Sequence, residues 1–308
     1  MSLTYNEISS LTNKYFIPKL YDNIFTSNIL FSRARKKWYH KKAGGESIMV
    51  PVAYATTTAS AWYDGQDNLT TSANNQITAM NFDWKQIHAA ITISGRDEAI
   101  NSGSETQVVD FVKAKVELAE KTIVDALGTG LYNDGTSDTK AIVGLRLAVD
   151  SAGTYGGISR TDYSWLSAQE DSSTTALSLA VMQGMFGDCT VGNSKPSVIT
   201  TTQDIFDIVW GKLQPQQRWA DKTTADAGFQ NILFNGTPVV VDNKCPSSHM
   251  FFLNEDYLQF IVHPDRDFRF RPFTSPENQD VATAHILWMG ALVLSNPRMC
   301  GKFGAITE

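Results

Sequence analysis

Residues 43–84 restrict the fold of this chain more than any other stretch. Gly44-Gly45 opens it, Ile48-Met49-Val50-Pro51-Val52 reads as a short strand, and a long run rich in Thr, Ser, Ala and Asn follows. Compact domains rarely hold a structureless loop of more than about 12–15 residues. The β-branched and aromatic side chains favour extended pairing, Pro51 belongs on an edge strand, and Asp64-Gly65 marks a turn at the tip. The reading is a two-stranded arm that leaves the body. A lone hairpin is marginal in water, so the arm needs another surface, most simply a neighbouring copy. Its charged residues, Glu46, Asp64, Asp67 and Asp83, are all acidic.

The segment before the arm carries apolar and aromatic residues at helical spacing from Tyr5 to Leu30, with a break expected near Pro18. Arg33 to Lys42 then holds six Lys or Arg in ten residues. Such a run touches nucleic-acid phosphates, with stacking on Trp38 and Tyr39, or it is a solvated basic turn that pairs with acids. The second reading is favoured, with Asp64 or Asp67 of a neighbour's arm as the partners. The net charge of −6 argues against a surface that binds nucleic acid throughout.

Beyond the arm, apolar residues alternate from Ile77 to Ile93, which predicts one long strand with Ile77, Ala79, Ile87, Ala89, Ile91 and Ile93 on one face. His88 falls on the other face, where a lone histidine is expected to be structural. Ser104 and Gln107 fit a capping box. Val108, Val112, Val116, Ala119, Ile123 and Leu127 then recur at helical steps, giving a helix over 104–128 with Gly128 and Gly130 as stop signals. Asp134, Thr136 and Asp138 follow in a turn that lacks the later Gly and the closing Glu of a calcium loop. His263, Asp265 and Asp267 lie close in sequence, but Pro264 and Arg266 point to a solvated turn rather than a metal site.

Residues 172–262 read as an α/β lobe. Helices are expected around Leu177–Phe186 and Gln203–Leu213, with a strand at Val198–Thr202. Asn235-Gly236 between Ile232-Leu233-Phe234 and Val239-Val240-Val241 is a strong hairpin signal. Val281 to Pro297 reads as a long apolar strand buried on both faces. Cys189, Cys245 and Cys300 form no CxxC pair, which fits a reducing compartment. No apolar run approaches the ~20 residues that span a bilayer. No P-loop, GxSxG or HExxH signature is present, so no catalytic residue, cofactor or metal ligand is assigned.

The order of these features resembles the major capsid proteins of tailed bacteriophages, the Hong Kong 97-type coat fold. The resemblance rests on the polar arm, the long helix, the "NDGT" turn at 133–136, the "GGISRTDYSWL" joint at 156–166, the "NGTPVVVD" hairpin at 235–242 and the closing "NPRMCGKFGAIT". It implies an α+β chain with an N-terminal arm (1–42), an extended β-hairpin loop (43–76), a peripheral domain (77–171 and 263–308) with a spine helix at 104–128, and an axial domain (172–262). It also implies a non-enzymatic virion shell of hexamers and pentamers, assembled in the host cytoplasm around double-stranded DNA that is not read by sequence. Arg33, Arg35, Lys36, Lys37, Trp62, Tyr63, Asp64 and Asp67 are the expected inter-subunit contacts. The best-known member crosslinks through a lysine in its extended loop, whereas residues 43–84 contain no Lys. Covalent crosslinking is therefore not expected. Only about forty residues precede the loop, so a scaffold, like the portal, would be a separate protein. Two other readings stay open: the related protein nanocompartment that encloses a cargo enzyme, and a hydrolase with its site in the 172–262 lobe.

Overall fold

A computed structural model describes residues 28–57, 59–69, 71, 75–101, 105–173, 175–213 and 232–307. The expected helices before Asn28 and the Ser104 cap lie outside the described residues. The chain builds two cores around two sheets. In the body, strand Val281–Leu294 is the central rail. Lys85–Ser94 lies antiparallel along its residues 281–290, while Leu258–Val262 pairs with 290–294 and Arg269–Thr274 with 283–287. Tyr39–Lys41 adds in parallel to Leu258–Val262. Burial on both faces holds only for Gly290–Leu294; residues 283–289 alternate between half-buried and buried, because one side of the sheet faces the core and the other does not.

The lobe holds a six-stranded sheet in the order Ile232–Phe234, Thr237–Val241, Val198–Thr201, Met250–Leu253, Gly301–Phe303, Gln169–Asp171. Helices Leu179–Asp188 and Gln203–Leu213 pack on it through Met182, Phe186, Ile205 and Val209. Ser178 caps the first of these helices by accepting from Val181 N–H. Asn235 and Gly236 both have positive φ, 50° and 78°, as the two-residue hairpin turn requires. Two strands of this sheet, 169–171 and 301–303, come from outside the expected lobe span of 172–262.

The expected long strand from Ile77 to Ile93 is two strands, Ile77–Asp83 and Lys85–Ser94, parted at Trp84. The break exchanges the faces: Met80 and Phe82 are buried before it, and Ile91 and Ile93 after it. Ile77, expected on one face with Ile91 and Ile93, is exposed while they are buried. The first strand turns back to pair with Ser47–Ala53 and make the arm hairpin, and the second joins the body sheet. The change of partner forces the change of face.

The long helix spans Glu105–Gly130. Gly128 is not a stop signal. A Cβ there would lie 1.5 Å from Asn28 Nδ2, so the glycine admits the start of a second helix, Ile29–Lys37. Asn28 caps that helix by accepting from Phe31 N–H. The lobe reaches the same point: buried Asp242 accepts from Leu30 N–H at 3.1 Å, and Lys244 pairs with Asp125 of the long helix at 2.7 Å. Arm helix, long helix and lobe are thereby tied at one joint.

Candidate assembly surfaces

The base of the arm hairpin is anchored. Ile48, Val50, Met80 and Phe82 share one face and are buried against the body. Phe82 packs edge-on to Tyr155, whose hydroxyl accepts from Leu294 N–H. Gly156, at φ 57°, lets the backbone pass where a Cβ would lie 2.7 Å from Met80. Arg160 fixes the loop behind it by donating to the carbonyls of Leu147, Ala148, Ala152 and Leu166, with its guanidinium over the Tyr155 ring. Each guanidinium hydrogen bond satisfies a carbonyl that no strand or helix pairs.

The far end of the arm is bare. Trp62 is fully exposed at 103 %, and Tyr63 and Leu69 are exposed at 67 % and 63 %. Large apolar side chains grouped this way are costly to leave in water and mark contact surfaces. Asp64 and Asp67 shape the tip turn: Asp67 Oδ2 accepts from Asp64 N–H, and Asp64 Oδ1 accepts from Gly65 N–H. The four expected contact residues of the tip, Trp62, Tyr63, Asp64 and Asp67, are thus together and open.

The basic run is occupied differently. Arg33 donates through Nε and Nη2 to both oxygens of Glu255, and Lys37 Nζ pairs with the same carboxylate at 2.8 Å. The Glu255 side chain is only 4 % exposed. Burial would raise its pKa, but the Arg33 and Lys37 bonds outweigh that and hold it below the ordinary value. Arg35 lies over the Phe268 ring, and Lys41 pairs with Asp267. Trp38 is buried against Phe260 and has no face to offer a base, while Tyr39 is half-buried and tilted on the same Phe260 ring. Of the four expected basic contacts, Lys36 alone keeps an open side chain without a described partner.

The clusters that sequence raised as metal ligands serve turns. The Ser137 and Thr136 amides that donate to Asp134 hold its carboxyl well below the usual range, and Asp134 also pairs with Arg146 at 3.5 Å. His263 Nδ1 accepts from Asp265 N–H, and Asp267 takes the Tyr39 hydroxyl and Lys41. His88 is exposed rather than held by a structural hydrogen bond, and its ring meets His285 at 5.8 Å. Lys302, which sequence reasoning missed, is buried between Asp150 at 2.8 Å and Glu170 at 3.2 Å. Neither that site nor Glu255 carries a local signal, because the partners lie far apart in the chain.

Among solved structures, the chain is similar to the capsid asymmetric unit of cyanophage A-1(L), with 18 % identity, a TM-score of 0.75 and coverage of 95 % of this chain and 96 % of that one. The fold is the Hong Kong 97 capsid type. The capsid of a native GTA particle matches at 12 % identity and TM-score 0.68 over 96 % of this chain and 97 % of that chain. The holo-SrpI encapsulin complex of Synechococcus elongatus matches at 9 % and 0.61 over 98 % and 95 %. No family model and no curated protein sequence matches. The arm hairpin and the long helix are elements that the order of sequence features had implied, and the chain as a whole covers nearly the full length of each of these neighbours.

Proposed function

We propose that the chain is the structural subunit of an icosahedral shell, assembled from hexamers and pentamers around double-stranded DNA. The observation that carries the reading is the arm. Its base is locked into the body, while its tip presents Trp62, Tyr63 and Leu69 to water on a two-stranded support with no core of its own. A second copy is the simplest surface for it. Trp62, Tyr63, Asp64 and Asp67 are the tip contacts of this proposal, with Lys36 the open member of the basic run. The same reading places the protein in the virion, after assembly in the host cytoplasm with a separate scaffolding protein and a portal. The capsid fold and the net charge of −6 support an enclosed genome that is not gripped by the wall.

An encapsulin-like compartment is the second reading, favoured by the SrpI likeness. Sedimentation of the purified protein tests both. Wild type should run as capsomers or shells. A variant lacking residues 56–76 should melt like the parent yet remain a single subunit. Normal shells from the deletion would sink the proposal. Particles from infected or expressing cells with strong nucleic-acid absorbance favour the genome shell, and particles with only a protein cargo favour the compartment.

A further inference from the structure

Three places in the chain set an Asp or Asn directly before a glycine: Asp64-Gly65, Asp134-Gly135 and Asn235-Gly236. Such pairs share a latent reaction. The amide nitrogen of the glycine can attack the side-chain carbonyl carbon of the residue before it, because glycine carries no Cβ to stand in the way. How readily it does so depends on the fold, since holding reacting groups in contact and in line lowers the barrier between them.

Two of the pairs are held off this path. Asp134 turns its carboxylate to the Thr136 and Ser137 amides and to Arg146, while the Gly135 amide donates to Asn133 Oδ1. Asn235 Nδ2, the group that would have to leave, donates to Gln183 Oε1 at 2.6 Å, and the pair is set in the hairpin turn with φ of 50° and 78°. Asp64 is arranged differently. Its Oδ1 accepts from the Gly65 amide itself at 2.8 Å, so the side chain is folded back over the one nitrogen that can close a five-membered ring with it. Both residues are exposed at the arm tip. A Cβ built on Gly65 meets nothing within 4 Å, and Gly65 lies outside the left-handed region, so no crowding opposes ring closure there.

We propose that Asp64-Gly65 is a site of spontaneous isomerisation to isoaspartate, and that the change disables the arm tip of a subunit left unassembled. In the first step the Gly65 nitrogen bonds to Asp64 Cγ. The Cγ–OH bond of the neutral carboxyl breaks, and the hydroxyl leaves as water with the Gly65 amide proton. Water, the sole co-reactant, then opens the ring. Attack at Cγ restores aspartate. Attack at the main-chain carbonyl leaves the chain running through Cβ and Cγ, with the former main-chain carbonyl as a free carboxylate. Mass is unchanged, but the backbone is longer by one carbon. The Asp64 carbonyl oxygen, which accepts from Asp67 N–H at 2.9 Å and closes the turn, is thereby removed from the main chain. Trp62 and Tyr63 run directly into that turn, so their presentation changes with it. This consequence for assembly rests on the shell reading above, whereas the isomerisation itself does not.

The test is a peptide map of the purified full chain aged at neutral pH. The peptide holding residue 64 should split into two chromatographic peaks of equal mass, one of them resistant to a protease that cuts before aspartate. The peptide holding Asp134 should change at least several-fold more slowly. In urea the two rates should converge, because the fold no longer distinguishes the sites. Gly65→Ala, which the open turn accommodates, should suppress the split several-fold. No split at residue 64, a rate matched by Asp134 in the folded chain, a difference that persists in urea, or an undiminished split in Gly65→Ala would each overturn the proposal. Aged wild type should also need a several-fold higher concentration to assemble, followed by light scattering, while aged Gly65→Ala assembles like fresh protein. Aged wild type that carries isoaspartate yet assembles at the fresh threshold would overturn the effect on the tip. Fresh wild type that assembles at no concentration would instead refute the shell reading and leave the peptide map standing.

Discussion

The lobe and the arm are both β structure, but they relate to water in opposite ways. In the lobe, Met250–Leu253 is buried along its whole length, flanked by Val198–Thr201 on one edge and Gly301–Phe303 on the other. Every position has a partner within the chain. In the arm, Ser47–Ala53 has Ile77–Asp83 as its single partner strand, and Met49 and Ile77 on the outer side are exposed. The lobe is complete as folded. The arm is open as folded, and in the proposed shell its outer side is covered by another copy. Stability and assembly should therefore be separable by mutation.

The largest expected effect on folding lies in the lobe. Phe252 is fully buried and meets Phe303 edge-on at 5.8 Å. Phe252→Ala should cost about 3–5 kcal/mol by chemical denaturation, as cavities left by buried aromatics do. A loss below ~1 kcal/mol would mean the lobe is far less tightly packed than described. An intermediate effect is expected where helix Ile29–Lys37 meets Glu255. Glu255→Gln removes the charge that Arg33 and Lys37 share, and should cost on the order of 1–2 kcal/mol, since Lys37 is largely exposed and screened. Because the folded state holds Glu255 below its ordinary value of 4.5, its contribution is present above that value and is lost as pH falls through the folded pKa. Wild type should thus lose its advantage over Glu255→Gln below about pH 4.5, and parallel stability curves from neutral to acid pH would contradict this. The smallest effect on folding belongs to the arm. Trp62→Ala should leave stability within about 0.5 kcal/mol of wild type while raising the concentration needed for assembly. A variant that unfolds more easily but assembles normally would reverse the comparison.

The same contrast explains what the sequence revealed. Local signals were enough for the Asn235-Gly236 hairpin, for helix Gln203–Leu213, and for the long helix, because each depends on neighbours within a few residues. The arm was readable as a polar stretch that leaves the body, but only its base, Ser47–Ala53 with Ile77–Asp83, is two-stranded, and the described residues from 54 to 76 form no strand. The break at Trp84 was not readable, since alternation runs through it and only the change of strand partner reverses the faces. Gly128 looked like a helix stop because its true cause, Asn28, lies a hundred positions earlier. The basic run was assigned Asp64 or Asp67 of a neighbour as partners because Glu255, its partner within the chain, stands 222 residues from Arg33. Three-residue strands such as Gly301–Phe303 have too little pattern to be seen at all.

That last strand also sets a timetable. Until residues 301–303 emerge from the ribosome, Met250–Leu253 has an open edge with unpaired amides and carbonyls beside fully apolar side chains, the kind of edge that invites wrong partners. Gln169–Asp171, made much earlier, waits for the same strand, because its ladder partner is Gly301–Phe303. The lobe is sealed by a strand made only after Met250–Leu253 and the central rail Val281–Leu294, so a nascent chain that already displays its arm has not yet closed the sheet that makes it a stable subunit. A ribosome stalled short of residue 301 would release a chain with a sticky edge, and quality control has that interval in which to capture it.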